Sequence, residues 1–332
     1  MIFFKFTVKI VLHKAQDLDL FSTFYTSVAM SSDSRDTRCA IIEENILSIL
    51  DWSLRSNDTH YANDDRLEFL AAVRAAFLCF DNGTRPSDEM HHEIFRILRV
   101  GKPMELVLES HCLLSELLKR FPHQVTEQSE SPVTKEGWSP FSFSSNIVHL
   151  RKKQDDRNHN GFFDSMDFHN LIKELAEGTN EIIDESKSIK FRRNVLILEH
   201  LVTVLRQDLT SRINVYRETM NWSVVRDSIL SSLLSSRSIN YKSLYKDLAS
   251  LLCGKFSSVD ELQECAHSVC NSITQLLGTI MELDVLKKKA DEFGFITRAD
   301  TVRTPLIEII IDELTYDKEI ISPFLQVYLS FI

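Results

Sequence analysis

Glycine and proline are so scarce in this chain that few sheet-based folds are open to it. There are 8 Gly and 7 Pro in 332 residues. Each is about 2% of the chain, where usual frequencies are about 7% and 5%. Hairpins and tight turns need Gly, Asn-Gly or Pro at their positive-φ and fixed-φ positions. A chain poor in both is built more easily from helices joined by short loops. The hydrophobic fraction, 43%, is enough to fill a substantial core. The length suits one large domain or two.

Helical periodicity bounded by caps runs along the sequence. Ile42, Ile46, Ile49 and Leu50 mark a first helix. A second starts near Asn63, carries Leu67, Leu70, Ala71, Arg74, Phe77 and Leu78, and stops at Asp81-Asn82-Gly83. Ser87 caps a third, with Ile94, Phe95, Ile97 and Leu98 on its buried side and Gly101 closing it. Pro103 stands where the first residue of a fourth helix is expected, a position that suits proline. That helix runs through Leu106, Val107, Leu113, Leu114 and Leu117 to Phe121-Pro122. Residues 1–35 read as a poorly ordered extension and residues 36–121 as an N-terminal helical region.

Residues 122–163 change character: Ser, Pro, Gln, Asn and charged residues dominate, which reads as a polar linker. The aromatic island Gly137-Trp138-Ser139-Pro140-Phe141-Ser142-Phe143 is expected to dock on the helical body. Helices resume in residues 164–332, the C-terminal helical region. One is expected over Asp164–Glu177 before Gly178, one near Phe191–Leu205, shorter ones over 211–236, and one over Tyr241–Cys253 before Gly254. Ser258-Val259-Asp260-Glu261 has the form of a capping box opening a long helix that ends near Lys287-Lys288-Lys289. Thr304-Pro305 opens another, whose isoleucines also suit a strand, although Glu308, Asp312 and Glu313 favour a helix. A last one begins at Ser322-Pro323. The sum is an all-α fold of roughly eleven or twelve helices, with no strand expected. So many helices cannot share one four-helix core. Stacked pairs, an armadillo-like α-solenoid, bury them layer upon layer.

The net charge of −10 argues against broad binding to nucleic acid, where Lys and Arg displace counterions from phosphates. It points instead to protein partners. The six cysteines, at 39, 79, 112, 253, 265 and 270, form no CxxC pair and no zinc-ligand spacing; they read as reduced thiols used as small hydrophobes. No apolar run is long enough to span a membrane. Met1–Leu12 has a loose leader-like look, yet Lys9, Asp17 and Asp19 interrupt it, and Met30 opens a more ordinary polar start. Residues 1–29 are therefore expected to be an upstream extension. The apolar ending Leu329-Ser330-Phe331-Ile332 reads as a helix cut short.

The sharpest local match to a site is Asp156–Asp167. It places oxygen ligands where a calcium loop has them at positions one, three, five and nine, with Gly161 at six and Phe163 at eight. Position twelve is Asp rather than the longer Glu, and Asn146–Gln154 makes a poor entering helix. The plainer reading is a polar segment capping the next helix. His91-His92 cannot form a helical metal pair, because adjacent residues point about 100° apart. Lys287, Lys288, Lys289, Arg298 and Arg303 are interleaved with acids and read as a solvated face. No HExxH, GxSxG, GxxxxGK[ST] or GxGxxG is present, so no catalytic, cofactor-binding or metal-ligating residue is named and the chain is not read as an enzyme.

Several long strings carry a family resemblance: Ala62–Ala76, Ile94–Arg99, Trp138–Phe141, Glu218–Ser223, Met281–Asp284, Lys287–Asp291 and Val302–Asp317. In order, from about residue 40 to 328, they resemble the plant negative regulators of systemic acquired resistance. The resemblance implies an armadillo-like helical protein of the nucleus. It implies a subunit of the SMC five–six complex, as a non-SMC element of the sixth type with a fifth-type partner. Roles in DNA damage response, recombination and repression of defence genes follow from it, without a cofactor, a membrane or a small-molecule substrate. Residues 1–29 depart from the family pattern, the 156–167 loop lies where the family varies, and the chain stops where the family continues. Two other readings stand beside this one: a transcriptional repressor that contacts DNA, and a calcium-responsive regulator acting through residues 156–167.

Overall fold

In a computed structural model, the described residues are 42–50, 59–79, 85–126, 134–136, 138–141, 162–178, 185–236, 240–253 and 260–295. The expected helices beginning at Thr304 and Ser322, the leader-like N-terminus, Arg298 and Arg303 lie outside them. Among the described residues there are ten α-helices, and the fold is an all-α, solenoid-like stack.

Helix α1 spans residues 42–50 and buries Ile46 and Leu50. Helix α2, Thr59–Arg74, starts four residues before the expected Asn63 and runs into a π-turn, Ala75–Cys79. Helix α3, Asp88–Val100, forms as its sequence indicates: the Ser87 hydroxyl accepts from the Met90 amide at 3.3 Å, and Asp88 and Glu89 sit in the first turn. Gly101 ends it at an ordinary φ of −54°. What this glycine supplies is room, since a Cβ there would stand 2.8 Å from the Ile97 carbonyl oxygen. Helix α4, Met104–Arg120, follows after a three-residue link, residues 101–103, and packs against α3. Pro103 is its N-cap rather than its first residue; its carbonyl accepts from Val107 at 3.3 Å.

The absence of strands is corrected by a short ribbon. Strands β1 (Gln124–Thr126) and β2 (Thr134–Glu136) pair antiparallel, with Val125 opposite Lys135. The ribbon survives because β1 lies on a helix and the Val125 amide donates to Ser211 Oγ at 3.2 Å. The described part of the aromatic island, Trp138–Phe141, does dock: Trp138 and Phe141 are both in the core, and Phe141 bridges to Phe163, while Gly137, Ser142 and Phe143 lie outside the described residues.

Helix α5, Ser165–Gly178, buries Phe168, Leu171, Ile172 and Leu175. Helix α6 corrects the next expectation. The helix near 191–205 does not stop there; it runs unbroken from Glu185 to Thr219, 35 residues, or about 52 Å at 1.5 Å per residue. It ends at Met220, which takes a positive φ of 56° and donates its amide to the Tyr216 carbonyl. Two short helices follow, α7 (Trp222–Arg226) and α8 (Ile229–Leu234), then α9 (Tyr241–Cys253) and the long α10 (Asp260–Glu292). Gly294, at φ +74°, closes α10 with the Phe295 amide bonded to the Ala290 carbonyl.

Helix α6 is the spine. It lies against α3, α4, α5, α7, α8, α10 and β1. That is why its buried residues lie on more than one side, from Phe191, Val195 and Leu198 to Leu209, Ile213 and Tyr216. One continuous apolar cluster runs from Ile46 to Ala290.

Candidate functional site

Two groups of buried polar side chains sit on the spine, and neither was visible in the sequence. The first gathers around Trp138. His91 on α3 turns inward, while its neighbour His92 stays half-buried against Phe162. His91 Nδ1 donates to the Ser87 carbonyl at 2.9 Å, and its ring stacks on Trp138 with centroids 5.5 Å apart. On α6, His200 stacks on the same indole at 6.4 Å. Phe95 meets Trp138 and Phe163 edge-on, each at 5.7 Å. Such edge-to-face pairs suit the quadrupoles of the rings. Beside them, His111 Nε2 on α4 lies 3.5 Å from Glu199 Oε2 on α6.

Burial dominates the protonation of this group. It pushes His91 and His111 down to about 4 and His200 to about 3, the last also opposed by His111 and His91. It pushes Glu199 up to about 7. His111 is therefore neutral at neutral pH, and its contact with Glu199 is not an ion pair there. Neither ring nitrogen of His200, nor Trp138 Nε1, has a hydrogen-bond partner among the described residues.

The second group is a clamp. Asp208 and Arg212, one turn apart on α6, are both fully buried. Arg212 Nε donates to Asp208 Oδ1 at 2.8 Å, and an Arg212 NH group donates to the Val224 carbonyl at 2.8 Å. The other Asp208 oxygen accepts from the Ile229 amide at 2.7 Å. The pair thereby ties the last turn of α7 and the first turn of α8 to the spine. Ser228 completes the α8 cap by accepting from Ser231 at 3.1 Å. His123, at the start of the ribbon, places Nδ1 3.9 Å from Asp208 Oδ1.

Nearer the surface, Arg74 joins α2 to α4 through Glu109 at 2.8 Å and Glu116 at 3.0 Å. Burial lowers its pKa, but the two carboxylates more than offset this and leave it raised.

The calcium-like loop is half described. Asp156 to Gly161 lie outside the described residues. Asp164 and Asp167 cap α5: the Asp167 amide donates to Asp164 Oδ1 at 2.8 Å, and the Asp164 amide to Asp167 Oδ2 at 3.4 Å. Phe163 packs inward beneath the Arg99 guanidinium, 4.4 Å from the ring centre. These contacts are those of a helix start. Lys288 and Lys289 are exposed, and Lys288 reaches Asp284 at 3.7 Å. Cys112, Cys265 and Cys270 are half-buried, and burial pushes Cys112 and Cys270 up. Among the described residues no group of His, Cys, Asp and Glu could hold a metal ion. No described helix is long and apolar enough to cross a membrane.

The family model described as the SNI1 middle domain matches residues 114–263 and 258–330. The negative regulator of systemic acquired resistance SNI1 from Arabidopsis thaliana is 41% identical over 292 residues, 86% of this chain. The chain spans 65% of that relative's length. No solved structure matches.

Proposed function

Because this chain belongs to the SNI1 family, we propose that it is a non-enzymatic helical scaffold acting as a negative regulator of plant defence. Its work is contact with other proteins, as a nuclear subunit of the SMC five–six chromosome-maintenance complex paired with a fifth-type non-SMC element. Repression of defence genes and service in DNA damage response and recombination are then outcomes of one assembly. The single observation that carries the regulatory reading is the 41% identity to a named regulator across most of the chain. The architecture supports it: polar groups inside the body, Asp208, Arg212, Ser228 and Ser231, bond to helix ends and to each other. A stack of helices offers extended outer faces, where partners are held by apolar anchors within polar rims.

The deciding experiment is co-purification. The full chain, tagged and expressed in plant cells, is expected to bring down SMC five–six subunits at near-stoichiometric yield. Clean absence of those subunits removes the assembly assignment and leaves the defence-regulator reading to stand alone.

A further inference from the structure

Three of the large apolar side chains exposed among the described residues stand together where the end of α3 meets the head of α5. They are Val100, 56% exposed, Phe162, 36%, and Met166, 43%. Arg99 makes them neighbours. It precedes Val100 in the chain, and its guanidinium donates to the Phe162 carbonyl at 3.3 Å. It also lies 3.9 Å from the carboxylate of Asp167, the residue after Met166. The Phe162 ring rests on His92 of α3, with centroids 4.5 Å apart. Single exposed apolar residues are ordinary, whereas a group of them rimmed by polar ones marks a contact surface.

The charge around the patch indicates what covers it. Lys102 is exposed and makes no ion pair among the described residues. Arg193 of α6 donates to the Gly101 carbonyl at 3.3 Å and makes no ion pair there either; Glu174 favours its charge from further off. Arg99, Lys102 and Arg193 thus share one long ion pair, in a chain whose net charge is −10. The acids at hand are engaged, since Asp164 and Asp167 each accept from the other's amide, at 2.8 and 3.4 Å. Burial is the main force on both arginines and lowers them, so a carboxylate arriving here meets charge that the fold has not offset. A nucleic-acid backbone would meet the same cations, but it leaves Val100 and Met166 uncovered, and the overall charge of the chain repels it. We propose that the patch of Val100, Phe162 and Met166 docks a protein segment that alternates large apolar side chains with Asp or Glu. The apolar side chains seat on the patch, and the carboxylates meet Arg99, Lys102 and Arg193 at its rim. The proposal rests on the scaffold reading for its occupant being a protein, and adds the place and the partner's chemistry.

The test uses the purified full chain and a phage-displayed library of random peptides. Selection is run on the wild type and on the double variant Val100→Ser with Met166→Ser. Both side chains are exposed, so the variant should keep its helical dichroism and urea midpoint. Peptides that bind the wild type and lose at least about tenfold in affinity on the variant are expected to be rich in Asp, Glu and large apolar residues. Lys102→Glu should weaken the same peptides about threefold or more and flatten their dependence on salt. The proposal is overturned if no selected peptide distinguishes the wild type from the folded double variant, or if those that do are neutral or basic. Displacement of the peptides by single-stranded DNA of random sequence, itself weakened by Lys102→Glu, overturns it in favour of a nucleic-acid surface. No other subunit takes part in the selection, so its failure and the failure of co-purification are separate results.

Discussion

His91, His111 and His200 make stability depend on pH in a direction that can be worked out. Their folded pKa values, about 4, 4 and 3, lie below the ordinary 6.5, so they stabilise the fold above pH 6.5 and lose that contribution as pH falls. Glu199 works oppositely: raised from 4.5 to about 7, it stabilises below pH 4.5 and loses that as pH rises through 7. Between pH 4.5 and 6.5 the unfolded chain holds three more protons on the histidines and one fewer on the glutamate. Stability should therefore climb by about 2.7 kcal/mol per pH unit at most across that window and turn over near neutrality. Urea midpoints measured from pH 4.5 to 8 check this; a flat profile would show that the histidines are not desolvated together. A second residue tests close packing. Gly101→Ala drives a methyl to 2.8 Å from the Ile97 carbonyl oxygen, a backbone atom that cannot swing aside. It should cost about 1–3 kcal/mol in denaturation, with helical content intact. None of the histidine cluster was legible beforehand. In the sequence His91 and His92 look like one pair. The fold separates them and stacks His91 on Trp138, whose indole also meets His200 of α6, which only long-range packing decides.

At the scale of elements, caps were the readable part. Ser87 behaves as its sequence indicates, and Asp164 heads α5 with Asp167 bonding back to it. Helix interiors were readable where an apolar stripe ran cleanly, as in α3 and α9. The spine was not. Arg206-Gln207-Asp208 and Ser211-Arg212 interrupt the apolar pattern and read as a break between two helices. In the fold the Asp208 and Arg212 side chains bond to one another and to the ends of α7 and α8, so polar residues stand inside an unbroken helix. The ribbon was missed for a related reason: three-residue strands carry too little alternation to be seen, and β1 depends on Ser211 of the spine. The clamp makes its own prediction. Arg212→Ala leaves Asp208 charged and buried, and should cost about 3–5 kcal/mol. Replacing both, Asp208→Leu with Arg212→Met, should cost less than the sum of the single changes, because no lone charge then remains. A double-mutant cycle in urea measures the coupling. Additive losses would mean that the two side chains act independently.

For the whole molecule, composition was the best guide: the scarcity of glycine and proline indicates helices, and helices are what the chain forms. Composition could not say how the regions before and after residues 122–163 relate. The linker's polarity marks only a boundary between two helical regions, and the packing joins them. Helices α3 and α4, from the first region, lie directly on α6, from the second, and Trp138 and Phe141 within the polar stretch are buried with them. Phe95 of α3 touches both Trp138 and His200, so separating the regions strips neighbours from a ring that is 0% exposed. A piece comprising residues 36–121 alone would expose the α4 face that covers the spine. A piece comprising 164–332 would uncover the α6 side that carries Glu199 and His200, which now meet His111 of α4 and Phe95 of α3. Large buried side chains are worth about 1.5–3 kcal/mol apiece, and a whole face of them exceeds the net stability of a domain. Neither piece should therefore fold alone. Mixed together, they should regain helical dichroism and one cooperative urea transition, because the apolar faces remain complementary. Two stable fragments with separate sharp transitions would establish independent domains and overturn the single-core account.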